Sequence, residues 1–309
     1  MTTATPAPVA SPARIELAEL IGLKQAGESL RVGALRVRAL DSGGHLSRFK
    51  GRGVEFDEAR PYQPGDDLRT IDWRVTARTG KPHTKVFREE RDRPVIIWLD
   101  LRRPMMFATR GAYKAVRAAQ TAALVAWSAV ANGDRLGGLV FSEREHVELR
   151  PRLGHRAALR LFRVLTDPSF WEPEDERGRE VETQRSLLRL TRVARPGSQI
   201  FLLSDFRSLA EAFERHLTQL ARHSDVSLVQ FFDPVEEELP PPGRYRIQMG
   251  GRSVAIDTER VRSREAYRDR FQALKAPLEN LSSLPGVQLI ECSTAVDPYG
   301  VLARHFEGR

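Results

Sequence analysis

The stretch Val95-Ile96-Ile97-Trp98-Leu99-Asp100 (VIIWLD) decides the fold, because it is a short, continuous apolar run that ends in an acid. Strands buried on both faces of a parallel sheet have this pattern, since neither side of such a strand meets water. A second run of the same kind, Gln199–Asp205 (QIFLLSD), follows later in the chain. Each run therefore predicts a buried strand with an aspartate at its carboxyl end.

Helical and strand patterns alternate around these two runs. Ala112–Ala131 carries apolar residues on one face and predicts a helix that ends at Asn132-Gly133. Further strands are predicted at Arg135–Phe141, His146–Arg150 (its antiparallel neighbour), Val226–Phe232 and Val287–Cys292, with a hairpin at Tyr245–Met249 and Ser253–Ile256. Further helices are predicted at Arg156–Leu165, Glu180–Val193, Leu209–His223 and Ser263–Leu284. This alternation predicts an α/β fold with a doubly wound, mostly parallel sheet and helices on both faces.

Asp100 and Asp205 are expected at the same edge of this sheet, where ligands meet the carboxyl ends of the strands. Asp100 is followed by Leu101-Arg102-Arg103-Pro104, and none of these side chains can ligate a hard cation, which takes oxygen ligands. Two interpretations stay open. Asp100 bonds local backbone, or an arginine pairs with the two acids and occupies the space that a metal ion would fill.

The composition of the chain limits the classes of protein to which it can belong. The chain has 309 residues, of which 41% are hydrophobic and 29% charged, as in ordinary soluble globular proteins. Its one cysteine, Cys292, excludes an internal disulfide and favours a reducing, cytoplasmic location. No run of about 18 apolar residues is present, so no membrane span is predicted.

The net charge of +8 raises the possibility of nucleic-acid binding. The basic residues are dispersed among acids, however, as in Phe87–Arg93 (FREERDR). A solvated arginine-rich surface is the simpler interpretation, and nucleic acid is not the expected partner. An acidic protein partner also fits this surface.

Three zones follow along the chain. Residues 1–13 are rich in alanine, proline and threonine, lack a leader pattern, and predict a disordered tail. Residues 14–93 are predicted to hold an amphipathic helix near Ile15–Ile21 and small strands at Arg31–Leu40 and Lys81–Phe87. Residues 94–309 form the α/β domain.

The segment Gly51–Lys85 mixes carboxylates with arginines, and Trp73 is expected to anchor a core. No serine or cysteine nucleophile accompanies the acids in this segment, so acid–base catalysis is not predicted there. The structural interpretation is a set of arginine–carboxylate forks that brace a strand-poor subdomain. The functional interpretation is a docking surface for a partner.

Gly51–Arg78 (GRGVEFDEARPYQPGDDLRTIDWRVTAR) resembles the signature of the bacterial domain of unknown function 58 family. The resemblance continues through Lys85–Glu90 (KVFREE), the VIIWLD strand and the LLSDF stretch, and covers roughly Leu30 to Asp233. The positions that carry the signature, and that we predict to serve interaction, are Gly53, Glu55, Phe56, Arg60, Tyr62, Gly65, Asp66, Asp67, Arg69, Asp72, Trp73 and Arg78.

This resemblance implies a fold similar to von Willebrand factor type A domains and genes that lie beside those of MoxR-type AAA+ ATPases. It implies a non-enzymatic adaptor in complex assembly or chaperone-like maturation, with no catalytic residue and no cofactor. Type A domains often bind a metal ion through Asp-x-Ser-x-Ser, a threonine and a further aspartate. Asp100 and Asp205 match the two acids, but Arg102 and Pro104 stand at the two serine positions, and Arg152–His155 offers no threonine.

The resemblance therefore implies a degenerate adhesion site without a metal, and we expect Arg102 to replace the cation by pairing with Asp100 and Asp205. Three alternatives remain open. They are a metal-dependent ligand-binding type A domain, a nucleic-acid binder that uses the basic charge, and a hydrolase that uses the acidic cluster.

Overall fold

The computed structural model describes residues 11–32, 54–63, 70–89, 94–172, 179–207, 211–249 and 252–307. The chain divides into two compact units: one joins residues 1–36 to residues 93–309, and the other runs from 37 to 92. The predicted zone 14–93 is therefore corrected, because its N-terminal helix belongs to the unit that carries the sheet. Most of the predicted tail, 1–13, and the predicted strand at Arg31–Leu40 lie outside the described residues.

The helices and strands follow one another in this order: α1 (Leu17–Gly22), α2 (Lys24–Ser29), β1 (Val54–Pro61), α3 (Trp73–Thr79), β2 (His83–Glu89), β3 (Pro94–Asp100), α4 (Lys114–Ala131), β4 (Arg135–Phe141), β5 (His146–Arg152), α5 (His155–Leu165), α6 (Arg179–Val193), β6 (Gln199–Ser204), α7 (Glu211–Ala221), β7 (Asp225–Phe232), α8 (Pro234–Glu237), β8 (Arg244–Met249), β9 (Arg252–Asp257), α9 (Val261–Ser282), β10 (Val287–Ser293) and α10 (Pro298–Glu307).

The larger unit is built on a six-stranded sheet in the order β10-β7-β6-β3-β4-β5. Its strands are parallel except β5, which runs antiparallel to β4 as the sequence predicts. Alternate residues of β3 enter two separate cores: Ile97 and Leu99 join one, while Ile96 and Trp98 join the other. Helices thus cover both faces, and the predicted doubly wound, mostly parallel sheet is confirmed.

The N-terminal helices belong to this unit because side chains of the sheet domain bond their backbone. The indole of Trp127 donates to the carbonyl of Leu20 at 2.9 Å, and the hydroxyl of Ser128 donates to the carbonyl of Leu30 at 2.6 Å. Leu20 and Leu30 are themselves buried. Gly27 brings α2 close to α4, since a Cβ placed there would lie 2.5 Å from the Cβ of Trp127.

The smaller unit pairs β1 with β2 in an antiparallel ladder, which confirms the strand near Lys81–Phe87. Sequence patterns missed β1 and the short α3. Asp72 caps α3 by accepting from the backbone N–H groups of Arg74 and Val75 at 3.0 and 3.2 Å. The predicted core role of Trp73 is wrong: as the first residue of α3 its side chain is 70% exposed.

The larger unit also contains a β-hairpin and the one cysteine of the chain. The hairpin of β8 and β9 is present as predicted. The lone Cys292 is a free, buried thiol in β10, and burial raises its pKa to about 12. Within the described ranges, no helix combines the length and the apolar character needed to cross a bilayer.

We expect Gly27→Ala to destabilise the protein by about 1–3 kcal/mol, because the added methyl group collides with Trp127 at a packed interface. Alanine favours helix formation by nearly 1 kcal/mol over glycine, so helix propensity alone predicts that this substitution stabilises the protein. Gly22→Ala is the matched control, since a Cβ at Gly22 meets nothing within 4 Å. Urea unfolding of both variants measures the difference. A Gly27→Ala protein as stable as Gly22→Ala would contradict this packing.

Candidate functional site

Three neighbouring strands end in buried aspartates at the carboxyl edge of the sheet. Asp100 is the last residue of β3, Asp205 directly follows β6, and Asp233 directly follows β7. All three are less than 5% exposed, and so is Thr294, which follows β10. Parallel strands bring these ends together, because their carboxyl termini share one edge. The edge therefore concentrates three acids in a region closed to solvent.

Asp100 accepts hydrogen bonds from its own loop and from the end of β6. Its Oδ1 accepts from the backbone N–H and the Nε of Arg102 at 3.0 and 2.8 Å. Its Oδ2 accepts from Nη2 of Arg102 at 2.6 Å and from the hydroxyl of Ser204 at 2.7 Å. Arg102 is 2% exposed. Burial opposes its charge, but the Asp100 carboxylate more than compensates, so the pKa of Arg102 lies above its ordinary value.

A buried lysine neutralises the second acid. The ammonium of Lys114, at the start of α4, donates to Asp205 and to Glu236, both at 2.9 Å, and is fully buried. Arg207 donates to the same oxygen of Glu236 at 2.8 Å, while its side chain remains 42% exposed. Burial alone would raise the pKa of Asp205, but Lys114 holds that pKa below its ordinary value.

Asp233 is satisfied without a cation bonded to it. Thr109 donates to it through its backbone N–H at 2.7 Å and through its hydroxyl, and Thr294 donates its hydroxyl at 2.6 Å. Asp233 and Glu236 also form a capping box at α8. The carboxylate of Asp233 accepts from the backbone of the first turn, and the carboxylate of Glu236 accepts from the backbone N–H of Asp233. The hydrogen bonds from the two threonines outweigh burial and lower the pKa of Asp233.

Both interpretations of Asp100 hold in the structure, because Arg102 donates to its carboxylate from the backbone N–H and from the guanidinium group. The predicted pairing of Arg102 with Asp100 is confirmed. The bonded cation of Asp205 is instead Lys114, although the charge of Asp205 also raises the pKa of Arg102. Pro104 lies in a short 3₁₀ turn, Arg103–Met105, directly after Arg102.

The signature residues fall into the smaller unit. Gly53, Gly65, Asp66, Asp67 and Arg69 lie outside the described residues. Glu55 and Phe56 pair with β2 through the backbone of β1.

Four signature residues have described side chains besides Trp73. Arg60 donates to the carbonyl of Pro61 at 3.2 Å, and Tyr62 is half-buried. Asp72 caps α3, and Arg78 lies exposed in its last turn. The interaction role of the signature stays a prediction.

Sequence reasoning missed Lys114, Glu236 and Asp233. Asp233 had a signal, because VQFFD ends an apolar strand in an acid as VIIWLD does. Asp233-Pro234-Val235-Glu236 also matches a capping box with proline at the first helical position. Lys114 carried no such signal, because only the tertiary fold brings its ammonium between two carboxylates.

These residues do not fit a metal ion of the kind that type A domains often bind. Both oxygens of Asp100 are bonded to donors, and Arg102 stands where a hydroxyl ligand is needed. Lys114 holds the second carboxylate in the same way. Over the described residues, no group of three or more histidine, cysteine, aspartate or glutamate side chains is placed to hold a metal ion.

Comparison with known proteins gives a family. The model of the family described as "Protein of unknown function DUF58" matches residues 58–276. Uncharacterized proteins of Mycobacterium tuberculosis and Mycobacterium bovis are 29% identical over 206 residues, which is 67% of this chain and 63% of theirs. The match thus spans less than two thirds of the length of these relatives.

Two solved structures are similar over 70% of this chain. One is the conserved hypothetical protein BatB from Bacteroides thetaiotaomicron, with 14% identity, a TM-score of 0.43 and 98% of that chain covered. The other is an aerotolerance-related membrane protein from Bacteroides fragilis, with 13% identity, a TM-score of 0.41 and 100% covered.

We expect Lys114→Met to lower the free energy of unfolding by about 3–5 kcal/mol, because Asp205 and Glu236 would keep their charges in a buried site without the ammonium between them. Lys24→Met is the matched control. It removes an exposed ion pair with Glu28 and should cost at most about 1 kcal/mol. Chemical denaturation at neutral pH compares the two, and equal losses would show that the buried ammonium is not needed.

Proposed function

This chain belongs to the DUF58 family of proteins of unknown function, and on that premise we propose that it is a non-enzymatic adaptor that binds a protein partner. The proposed partner is a MoxR-type AAA+ ATPase, and the proposed process is complex assembly or chaperone-like maturation in the cytoplasm. The family resemblance suggests this partner. The structure contributes the surfaces that would make the contact.

The observation that carries the proposal is the closure of the sheet edge by the protein's own cations. In a metal-dependent type A domain, the ion would bridge the edge acids to a ligand. Here Arg102 and Lys114 already neutralise Asp100 and Asp205, and both cations are buried. A degenerate adhesion site of this kind leaves recognition to side chains that reach the surface, such as Arg207.

The hydroxyl of Ser204, which is bonded to Asp100, also supports a role without catalysis. Ser204 donates to Asp100 and accepts from the backbone N–H of Phe206 at 3.0 Å. A nucleophilic serine needs a base that takes its proton, and the Asp100 carboxylate is a poor one because the guanidinium of Arg102 already donates to both of its oxygens. In this proposal, the hydroxyl of Ser204 therefore has a structural role and holds the loop after β6 in place.

Trp73 supports the signature segment as a second docking surface. Tryptophan is enriched among the residues that dominate binding energy, and one that is 70% exposed in an unbound protein has a large apolar area to bury. Its helix is short and capped at both ends, by Asp72 and by Gly80 with a φ of 68°. The indole is thus held at the start of a short helix whose two ends are both capped.

We predict that calorimetric titration with Mg²⁺ or Mn²⁺ detects no tight, stoichiometric binding, because a guanidinium and an ammonium occupy the positions next to the two acids. This titration separates the adaptor from the metal-dependent ligand binder. Binding of one ion per chain in the micromolar range would overturn the degenerate site and favour that alternative.

We predict that the tagged full-length chain retains a purified MoxR-type ATPase from the same genome in at least one nucleotide state. Trp73→Ala should reduce retention at least about tenfold, as expected for an exposed aromatic anchor. Leu153→Ala is the control, because it truncates an apolar side chain that is 50% exposed on the larger unit. Failure to retain the ATPase in any nucleotide state would contradict this proposal.

A further inference from the structure

A cleft of about 370 Å³ opens beside the buried network on the larger unit. Its lining residues come from the loop after β6, from α8 and from one face of α9, and they are Arg207, Glu236, Tyr267, Arg270, Phe271 and Leu274. Clefts of this size hold small ligands or one to two side chains of a bound segment. Two of the residues, Arg207 and Glu236, connect it to the edge acids, since they also bond within that network.

One wall of the cleft is apolar. Tyr267, Phe271 and Leu274 are spaced four and three residues apart, so they form one stripe along α9. Phe271 is 5% exposed and forms the base of the wall, whereas Leu274 is 41% exposed and faces solvent. An exposed leucine beside a half-buried tyrosine gives a ligand an apolar surface to cover.

The lining of the cleft also carries positive charge, which comes from two guanidinium groups. Arg207 is anchored by Glu236 and Asp205, which fixes its position without covering its side chain. Arg270 is exposed, and its side chain makes no ion pair or hydrogen bond with the described residues. Lys114 and Arg207 balance Asp205 and Glu236, so the charge of Arg270 is the positive charge left over at this cleft.

The surrounding helix strengthens that excess. Between Val261 and Lys275, α9 carries five basic and two acidic side chains, and because Arg268 pairs with Glu238 and Lys275 with Glu291, three basic side chains remain against the two acidic ones. A field of this sign attracts anionic partners and speeds their encounter. The ligand of the cleft is therefore expected to be negatively charged.

The lining also limits how much charge a ligand can bring. Glu236 lines the cleft and already takes part of the charge of Arg207, so the lining offers too little positive charge for a di- or triphosphate. A single carboxylate fits better, since arginine forks match carboxylate geometry. An apolar group next to that carboxylate would cover Leu274 and Tyr267. Together these features describe an acidic residue flanked by an apolar one.

We propose that this cleft binds a protein segment in which a glutamate or aspartate adjoins an apolar side chain, with the carboxylate held by Arg207 and Arg270 and the apolar side chain packed on Leu274 and Tyr267. The inference rests on the proposed adaptor function and gives that function a chemical class of partner. It also explains how the sheet edge recognises an acid without a metal ion.

Fluorescence anisotropy with labelled peptide pools tests the proposal on the full-length chain. Each pool consists of 12-residue glycine–serine peptides whose central triplet is apolar–Glu–apolar, apolar–Gln–apolar or Ala–Glu–Ala. We expect the first pool to bind at least about tenfold more tightly than the other two, because only it supplies both charge and apolar area. Equal binding of the glutamine pool, or no binding of any pool at millimolar concentration, would overturn the proposal. Tighter binding of a labelled single-stranded oligonucleotide at physiological salt would also overturn it.

Variants locate the site within the chain. Arg270→Glu should weaken binding of the first pool about tenfold or more, and Leu274→Ser should weaken it several-fold. Arg262→Glu is the matched control, because it makes the same charge change on the same helix about 12 Å along the axis. An equal loss for Arg270→Glu and Arg262→Glu would mean that overall charge, not the cleft, binds the peptide.

All three positions are more than a third exposed, so the variants should fold, which thermal denaturation verifies.

The same variants separate this inference from the adaptor proposal. If the ATPase is retained equally by wild type and Arg270→Glu, and the peptide pools do not discriminate, the cleft inference fails while the adaptor stands. If the first peptide pool binds as expected but no ATPase is retained, the partner is wrong while the cleft inference stands.

Discussion

The buried ammonium of Lys114 is the interaction on which the carboxyl edge of the sheet depends. Neighbouring strands lie about 4.8 Å apart, so strand-end acids repel one another strongly in a region closed to water. At an effective dielectric constant of about 20, two such charges repel by about 3 kcal/mol. Lys114 relieves this at Asp205 and Glu236, and it joins the start of α4 to the loop after β6 and to α8.

The three acids are stabilised by three different kinds of donor. Asp100 takes a guanidinium from its own loop, Asp205 takes an ammonium from a helix, and Asp233 takes hydroxyl and backbone donors. None of these arrangements leaves a carboxylate oxygen open to a ligand as a metal site requires. Beside the buried Asp205 and Glu236, the charged side chain that reaches solvent is Arg207, which is 42% exposed.

The fold was predictable because buried strands and amphipathic helices carry a strong periodic signal, and residues such as Ile96 and Ile97 must each enter a core. The Asp100–Arg102 pair was also predictable, since the two residues are adjacent in a single loop. The role of Lys114 was not, because its partners lie about ninety and one hundred and twenty positions away in sequence. Trp73 was misjudged because a large aromatic residue predicts burial, whereas this one begins a short helix with its side chain in solvent.

The state of Cys292 has a practical consequence for measurement. A thiol with a pKa of about 12 exists at neutral pH almost wholly in the protonated form, with a thiolate fraction of about one in a hundred thousand. It is also buried, so alkylating reagents reach it slowly. A cysteine introduced at an exposed position would therefore react with maleimide dyes ahead of the native thiol. The chain is thus suited to site-specific labelling without first removing its own cysteine.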